Sequence, residues 1–384
     1  MTQYDRHNEE TKIVWADYAA GKPTRVPVVI YYDARIWLSQ EGQNPERVAL
    51  ADYIRHKDLM FECQVRAQEF KRLNILSDEQ MGYPKEDGYS LMIDFQNYFE
   101  IVWLGGEAEF SEEPHARPFL TEENKQSILD SPPPGLFDGI GGTAVGYYEY
   151  FIEKARTYER EGIPVRKVEL PFNMAGTDGP FTVACGIRGT ENLISDLLFD
   201  TDYALRLLGY LTDAIIARIK AARRFLNQAE VDHGFGMGDD AIALVSPQMY
   251  QDFVLPFHKK IYAELGGKGG ERGIHLCGNA QHLFPVLQKE LGIKNFDTGF
   301  PIDFSRLYDE LSPDTRVNGG PNVPLLKFGS LEEIRSETER ILRSGVMEKS
   351  RKFVLRDGNS VCPGTKLENI NQLYLTCKEA GRYC

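Results

Sequence analysis

His275 and Cys277 stand two residues apart in Gly273-Ile274-His275-Leu276-Cys277-Gly278-Asn279, after strand-like residues and before a helical pattern. Side chains alternate in direction along a strand, so an imidazole and a thiol at this spacing face the same side. Both are ligands for a borderline-soft cation such as Zn²⁺, which needs at least three. A buried cysteine is also among the commonest core residues, and one histidine has many structural uses. The chemistry therefore depends on what the rest of the chain brings to the same place.

Acids are the next candidates. Asp94 interrupts the apolar run Leu91-Met92-Ile93-Asp94-Phe95, where a carboxylate needs a buried partner. Asp239-Asp240 follow the glycine-rich Gly234-Phe235-Gly236-Met237-Gly238 and serve either as chemical groups or as acids favoured at a helix start. Asp297 and Asp303 read as helix starts, and His282 as an ordinary helix residue. Cys63, Cys185 and Cys377 lie in helical or apolar contexts and read as core thiols; Cys384 is terminal with no evident role. Gly139-Ile140-Gly141-Gly142-Thr143-Ala144-Val145-Gly146 superficially resembles a phosphate cradle, but Tyr147-Tyr148 stand where a P-loop has Lys-Ser/Thr, and no clear strand precedes it. It reads as a flexible connection or lid without a cofactor.

The elements that must position these groups are legible in outline. Glu9 to Ala20 is amphipathic and stopped by Gly21. Arg25–Tyr32 is β-branched and aromatic, and a helical region runs from about Pro45 to Leu73. Tyr89–Phe110 is strand-like, and residues 111–118 and 131–146 are rich in Pro and Gly. From Arg166 onward strands and helices alternate. Strands are expected at Arg166–Leu170, Val231–Gly236, the stretch ending in His275-Leu276-Cys277, Asn295–Asp297, Val317–Asn318 and Phe353–Leu355. Helices are expected at Asn192–Gln228, Pro247–Leu265 with Ser246 as N-cap, after Cys277 to about Glu290, from Asp303, and at Leu331–Ser344 and Leu367–Ala380. Repeated β–α units mean a parallel sheet covered by helices, and about eight strands favour a closed (β/α)8 TIM barrel in one domain over residues 1–384, with 1–24 as an N-terminal helical extension.

Forty-four basic against 57 acidic residues give a net charge of −13, which argues against nucleic acid or an anionic membrane surface as partner. The six scattered cysteines contain no Cys-x-x-Cys pair and are not a secreted disulfide framework. Met1–Arg6 is polar and unlike a signal peptide, and no apolar run is long enough to span a membrane. A soluble cytoplasmic protein is expected.

In a parallel barrel, chemistry resides where strands end and the following loops begin. Asp94, Asp239-Asp240, His275, Cys277, Asp297 and Asn318 all fall at such ends, and Cys362 lies in the loop Arg356–Gly364 after the last strand.

Three stretches carry a family resemblance: Gly179-Pro180-Phe181-Thr182-Val183-Ala184; Gly238-Asp239-Asp240 with Ser246-Pro247-Gln248-Met249-Tyr250-Gln251-Asp252-Phe253-Val254-Leu255-Pro256; and His275 through Gly319 to Pro363-Gly364-Thr365-Lys366-Leu367-Glu368-Asn369-Ile370. They resemble the uroporphyrinogen decarboxylase superfamily, and within it the corrinoid (cobalamin)-dependent methyltransferases. The resemblance implies the (β/α)8 barrel. Asp94 falls where the decarboxylase has its catalytic aspartate, so a metal-free decarboxylase-like lyase is one alternative. The decarboxylase, however, has an Arg-Gln-Ala-Gly-Arg segment suited to gripping carboxylates, where this chain reads Tyr31-Tyr32-Asp33-Ala34-Arg35, a poor match for a polycarboxylate. The methyltransferase branch has a His-x-Cys, matched here by His275 and Cys277, with a later cysteine completing a zinc site. It implies methyl transfer between a small-molecule donor or acceptor and a corrinoid. The chain has no Asp-x-His-x-x-Gly corrinoid signature, so the corrinoid would come on a separate protein or free. Asp94 or Asp240 would orient substrate or move a proton. Cys362 stands closer to the Pro-Gly-Thr block than the family's cysteine, and Asn359 occupies the usual position. Three outcomes follow: Cys362 reaches the metal, a carboxylate such as Asp240 or Glu169 completes it, or the zinc is lost and the barrel only binds a corrinoid partner. Tyr31, Tyr32 and Trp37 hint at an apolar or aromatic substrate, as core packing would also explain.

Overall fold

The computed structural model describes residues 2–110, 114–348 and 351–383. Eight strands form parallel ladders and alternate with helices in a (β/α)8 barrel: β1 (Val28–Val29), β2 (Tyr89–Met92), β3 (Ile163–Glu169), β4 (Gly234–Gly238), β5 (Glu271–Leu276), β6 (Asn295–Thr298), β7 (Arg316–Gly319) and β8 (Lys352–Arg356). Six of them, β4 through β8 and then β1, make one continuous sheet, while β2 and β3 pair separately. The two seams are bridged outside the ladders, by Asp78 N to Val28 O at 2.7 Å and Gly238 N to Thr177 O at 3.0 Å. The core is mainly apolar, with buried charged groups such as Arg218 and Asp239; Phe353, Val354 and Leu355 of β8 are fully buried, as expected for a strand covered on both faces.

The register decides which side chains meet. His275 of β5 pairs with Gly238 of β4 on one side and Asp297 of β6 on the other, and Asp297 pairs with Asn318 of β7. Residues just beyond β4, β5, β6 and β8 therefore converge at the C-terminal mouth.

Local chemistry explains where elements depart from the sequence pattern. The first helix begins at Gln3 because Thr2 and Asp5 form a reciprocal capping box. Trp15 Nε1 donates to Asp78 O, and Arg25 holds Asp78 through two short bonds, of 2.6 and 2.5 Å, which fixes this extension beneath β1. The strand expected over Arg25–Tyr32 shrinks to Val28–Val29, since Tyr31 N donates to the Asp357 carboxylate instead of a ladder carbonyl. The helical region after Pro45 breaks at His56 into Leu50–Arg55 and Lys57–Asn74. Between Tyr89 and Phe110 only the ends are strand, and Phe99–Trp103 is helix. Pro247–Leu265 is helical, capped by Ser246 Oγ, with a π turn at Tyr250–Val254 that absorbs Pro256.

The glycine-rich stretch is not a lid. It forms the start of the helix Ile140–Ala155, and a Cβ on Gly141 would lie 2.0 Å from Leu136 O, so the glycines allow a tight chain entry rather than a phosphate cradle. Among the described residues, no helix is long and apolar enough to cross a membrane.

Candidate functional site

Strand β5 ends at Leu276 with His275 and Cys277 on one side, their Nε2 and Sγ atoms 2.9 Å apart. The neighbouring strand supplies the third group. Asp239 N donates to His275 O at 3.3 Å, and this places Asp240 so that its Oδ1 accepts from Cys277 N at 2.7 Å. Donor atoms of Asp240, His275 and Cys277 all lie within 4.8 Å of one another, each residue half-buried.

The backbone around Cys277 is held closely. Gly299 N donates to Leu276 O at 2.6 Å, and a Cβ at Gly299 would sit 1.6 Å from Cys277 O, so any side chain there must displace the Cys277 peptide. Asp239 is fully buried and anchors the arrangement from below. It accepts from Phe181 N, Thr182 N and Thr182 Oγ1 and pairs with His258 Nε2 at 2.8 Å, whose Nδ1 meets Tyr250 OH at 2.9 Å.

A surrounding set of groups orients the three donors. Asp297 Oδ2 lies 2.7 Å from His275 Nδ1, and its Oδ1 bonds Arg356. Arg356 also donates to Asn359 O at 2.5 Å, and Cys277 Sγ donates to Asn359 Oδ1 at 3.3 Å. From the loop after β3, Asp178 accepts from Asn173 Nδ2 at 2.7 Å, and its own N donates to Glu100 Oε2 at 2.7 Å. Glu100 is in turn paired with the fully buried Arg218 and accepts from Thr177 Oγ1 at 2.8 Å.

Electrostatics follows from this packing. Burial and the Asp240 carboxylate push the Cys277 thiol well up, so it stays protonated unless a cation replaces the proton. Burial opposes protonation of His275, yet the bond to Asp297 and the charges of Asp297 and Asp240 outweigh it and raise its affinity for a proton. Burial works against the charge of Asp297 too, but His275 and Arg356 hold its carboxyl below the usual range. Burial, with the charges of Glu100 and Asp240, lifts Asp178 to about 8. Two anion-forming groups, Asp240 and Cys277, converging with His275 make a place where a divalent cation is welcome. Because Asp297 occupies Nδ1, Nε2 is left for that cation, the usual arrangement of a metal-binding histidine. A carboxylate, an imidazole and a thiol fit a tetrahedral cation with one position open.

The residues expected from the sequence are only partly brought together. His275 and Cys277 meet as alternation requires. Cys362 does not join the cluster; its carbonyl accepts from Thr365 N and Oγ1 in the turn after β8, while Asn359 faces the Cys277 thiol. The carboxylate that joins is Asp240, not Glu169, which is paired with Lys167 at 2.8 Å. Asp94 is at the same mouth but apart from the cluster, beyond β2, bonded to Tyr53 OH at 2.9 Å and to Gln96. Asp297 starts no helix; it lies within β6 and orients His275. Asp303 binds Ser305 in a turn, ahead of the short helix Leu307–Glu310, and His282 Nε2 contacts Val245 O. Asn318 bonds Arg316 Nε, and Trp37 is buried in the core. Cys63, Cys185 and Cys377 are buried free thiols, and Cys384 lies outside the described residues. The groups sequence reasoning missed are Asp178 and Arg356. Their only signal is position, one in the loop after β3 just before Gly179-Pro180 and one closing the apolar run Phe353-Val354-Leu355.

The uroporphyrinogen decarboxylase (URO-D) family model matches residues 166–380, which contains every donor in the cluster. The chain belongs to this family. Its relatives carry two chemistries. A methylated-thiol–coenzyme M methyltransferase of Methanosarcina mazei is 28% identical over 205 residues, covering 52% of this chain and 51% of that protein. A uroporphyrinogen decarboxylase of Myxococcus xanthus is 28% identical over 249 residues, 62% of this chain and 65% of that one. The chain thus spans about half to just under two thirds of these URO-D relatives. A solved methyltransferase from Methanosarcina mazei superposes with a TM-score of 0.63 at 18% identity over 96% of this chain and 98% of that one, a likeness of fold.

Proposed function

We propose that this URO-D family member is a methyltransferase that moves a methyl group between a small substrate and a corrinoid carried by a partner protein, with Zn²⁺ held by Asp240, His275 and Cys277. The observation that carries the reading is the convergence of those three donors, with Asp297 orienting the histidine. The methyltransferase names among the relatives support it. Bound there, Zn²⁺ would act as a Lewis acid toward the heteroatom that carries or receives the methyl group.

The chain's own residues do the rest. Asp297 and Arg356 hold the imidazole with Nε2 toward Sγ and Asp240. Asp178, whose carboxyl burial and the charges of Glu100 and Asp240 raise in the metal-free protein, would give a proton to a heteroatom losing its methyl group. Asp94, at the other side of the mouth, orients the substrate. Decarboxylation, the other chemistry among the relatives, is disfavoured because Tyr31-Tyr32-Asp33 stand where a polycarboxylate would need a basic clamp.

Two measurements test the proposal. Metal analysis should find stoichiometric zinc that falls in Asp240→Ala, His275→Ala and Cys277→Ala. Mixing the protein with cob(I)alamin and candidate methyl donors should produce the methylcobalamin spectrum. Protein that takes up no zinc on supplementation, or that turns over uroporphyrinogen in an Asp94-dependent way, would refute it.

A further inference from the structure

Across the mouth from the metal donors lies a cavity of about 210 Å³ that the cluster does not use. It opens at the seam between β1 and β2, where no ladder closes the sheet. Its walls are Tyr31, Tyr32 and Tyr53 with the carboxylates of Asp33 and Asp94, and Gln64, Lys71 and Ser90 complete the rim.

Two carboxylates and one ammonium line it. Asp33 caps the helix Ala34–Leu38 through Ile36 N at 3.0 Å. Asp94 is held by Tyr53 and Gln96, neither of which is a cation. Lys71 reaches the rim, but its ammonium is engaged by Glu79 at 2.8 Å. Arg35 flanks Tyr31 without lining the cavity. Burial and the neighbouring Asp33 raise Asp94 above the ordinary carboxylate range.

The aromatic walls point the same way. Tyr31 lines the cavity and is 45% exposed, so a ligand can reach it. The Tyr32 hydroxyl is buried and has no hydrogen-bond partner among the described residues. Tyrosine faces attract cations, and aromatic walls with nearby carboxylates are the usual recognition chemistry for methylated ammonium groups.

We infer that this cavity binds a small alkylammonium cation between the tyrosine rings and the Asp33–Asp94 pair. Resting on the methyltransferase reading, this would be the charged end of the substrate.

Calorimetric titration of the full chain with choline, and with its uncharged isostere 3,3-dimethyl-1-butanol, tests this directly. Choline should bind saturably and at least about tenfold more tightly than the alcohol. Asp33→Asn keeps the helix cap, because asparagine also accepts the Ile36 amide, yet should weaken choline about tenfold and leave the alcohol unchanged. Tyr31→Leu, which removes an aromatic wall of the cavity, should weaken choline as well. Chelating the metal should leave choline binding intact, because no lining residue is a metal donor. Absence of saturable choline binding, equal affinity for choline and the alcohol, or indifference to both substitutions would overturn the inference. Choline binding in protein that transfers no methyl group would sustain it while refuting the proposed function.

Discussion

Replacing Asp297 by Asn separates the orienting groups from the ligands. Asp297 uses both oxygens, one toward His275 Nδ1 at 2.7 Å and one toward Arg356. Asparagine offers a single acceptor oxygen for these two donors, and the guanidinium, always charged, takes it. The amide NH₂ then faces His275 Nδ1 and favours the tautomer with the proton on Nε2, the atom a metal needs. Loss of such an orienting partner costs about 10- to 100-fold in metal affinity, or ~1.4–2.8 kcal/mol. The assay is competition for zinc against a chromophoric chelator near neutral pH, with circular dichroism to show that the fold is retained. Cys362→Ser is the paired control; its residue stands outside the cluster, so affinity should change by less than about twofold. An unchanged affinity in Asp297→Asn, together with a loss of tenfold or more in Cys362→Ser, would refute the ligand set and return the loop after β8 to the metal.

Three further outcomes follow from the packing. Asp178 is lifted from 3.8 to about 8, so between those values the native state holds a proton that the unfolded chain does not, and stability falls with rising pH by up to ~1.4 kcal/mol per unit. In metal-free protein Asp178→Asn should therefore gain stability over the wild type progressively from pH 5 to about pH 8, as urea unfolding would record, and a pH-independent difference would contradict the assignment. Glu100→Ala leaves the fully buried Arg218 unpaired and should cost about 3–5 kcal/mol in urea unfolding, with less than about 1 kcal/mol counting against it. Gly299→Ala drives a Cβ into Cys277 O and should cost about 1–3 kcal/mol while also lowering zinc affinity; unchanged zinc affinity would show that the Cys277 peptide tolerates the shift.

What the sequence by itself determined is what depends on local periodicity. Alternation along a strand places His275 and Cys277 on one side whatever surrounds them, and the repeated β–α pattern with its turn residues is enough for a parallel barrel. The core thiols Cys63, Cys185 and Cys377 were equally legible, because their apolar neighbours are sequence neighbours. Tertiary structure decided everything that depends on register between strands far apart in the chain. Asp240 reaches Cys277 because β4 pairs with β5 at Gly238 and His275, and Asp297 reaches His275 because β5 pairs with β6 at that same residue. Asp178 and Arg356 carry no local pattern that marks them, and Cys362 and Asn359 are only three positions apart in one loop, with the turn at Thr365 deciding which of them faces the thiol. Local sequence sets which way a side chain leaves its own strand; the offset between neighbouring strands and the path of the loops beyond them set which side chains it meets.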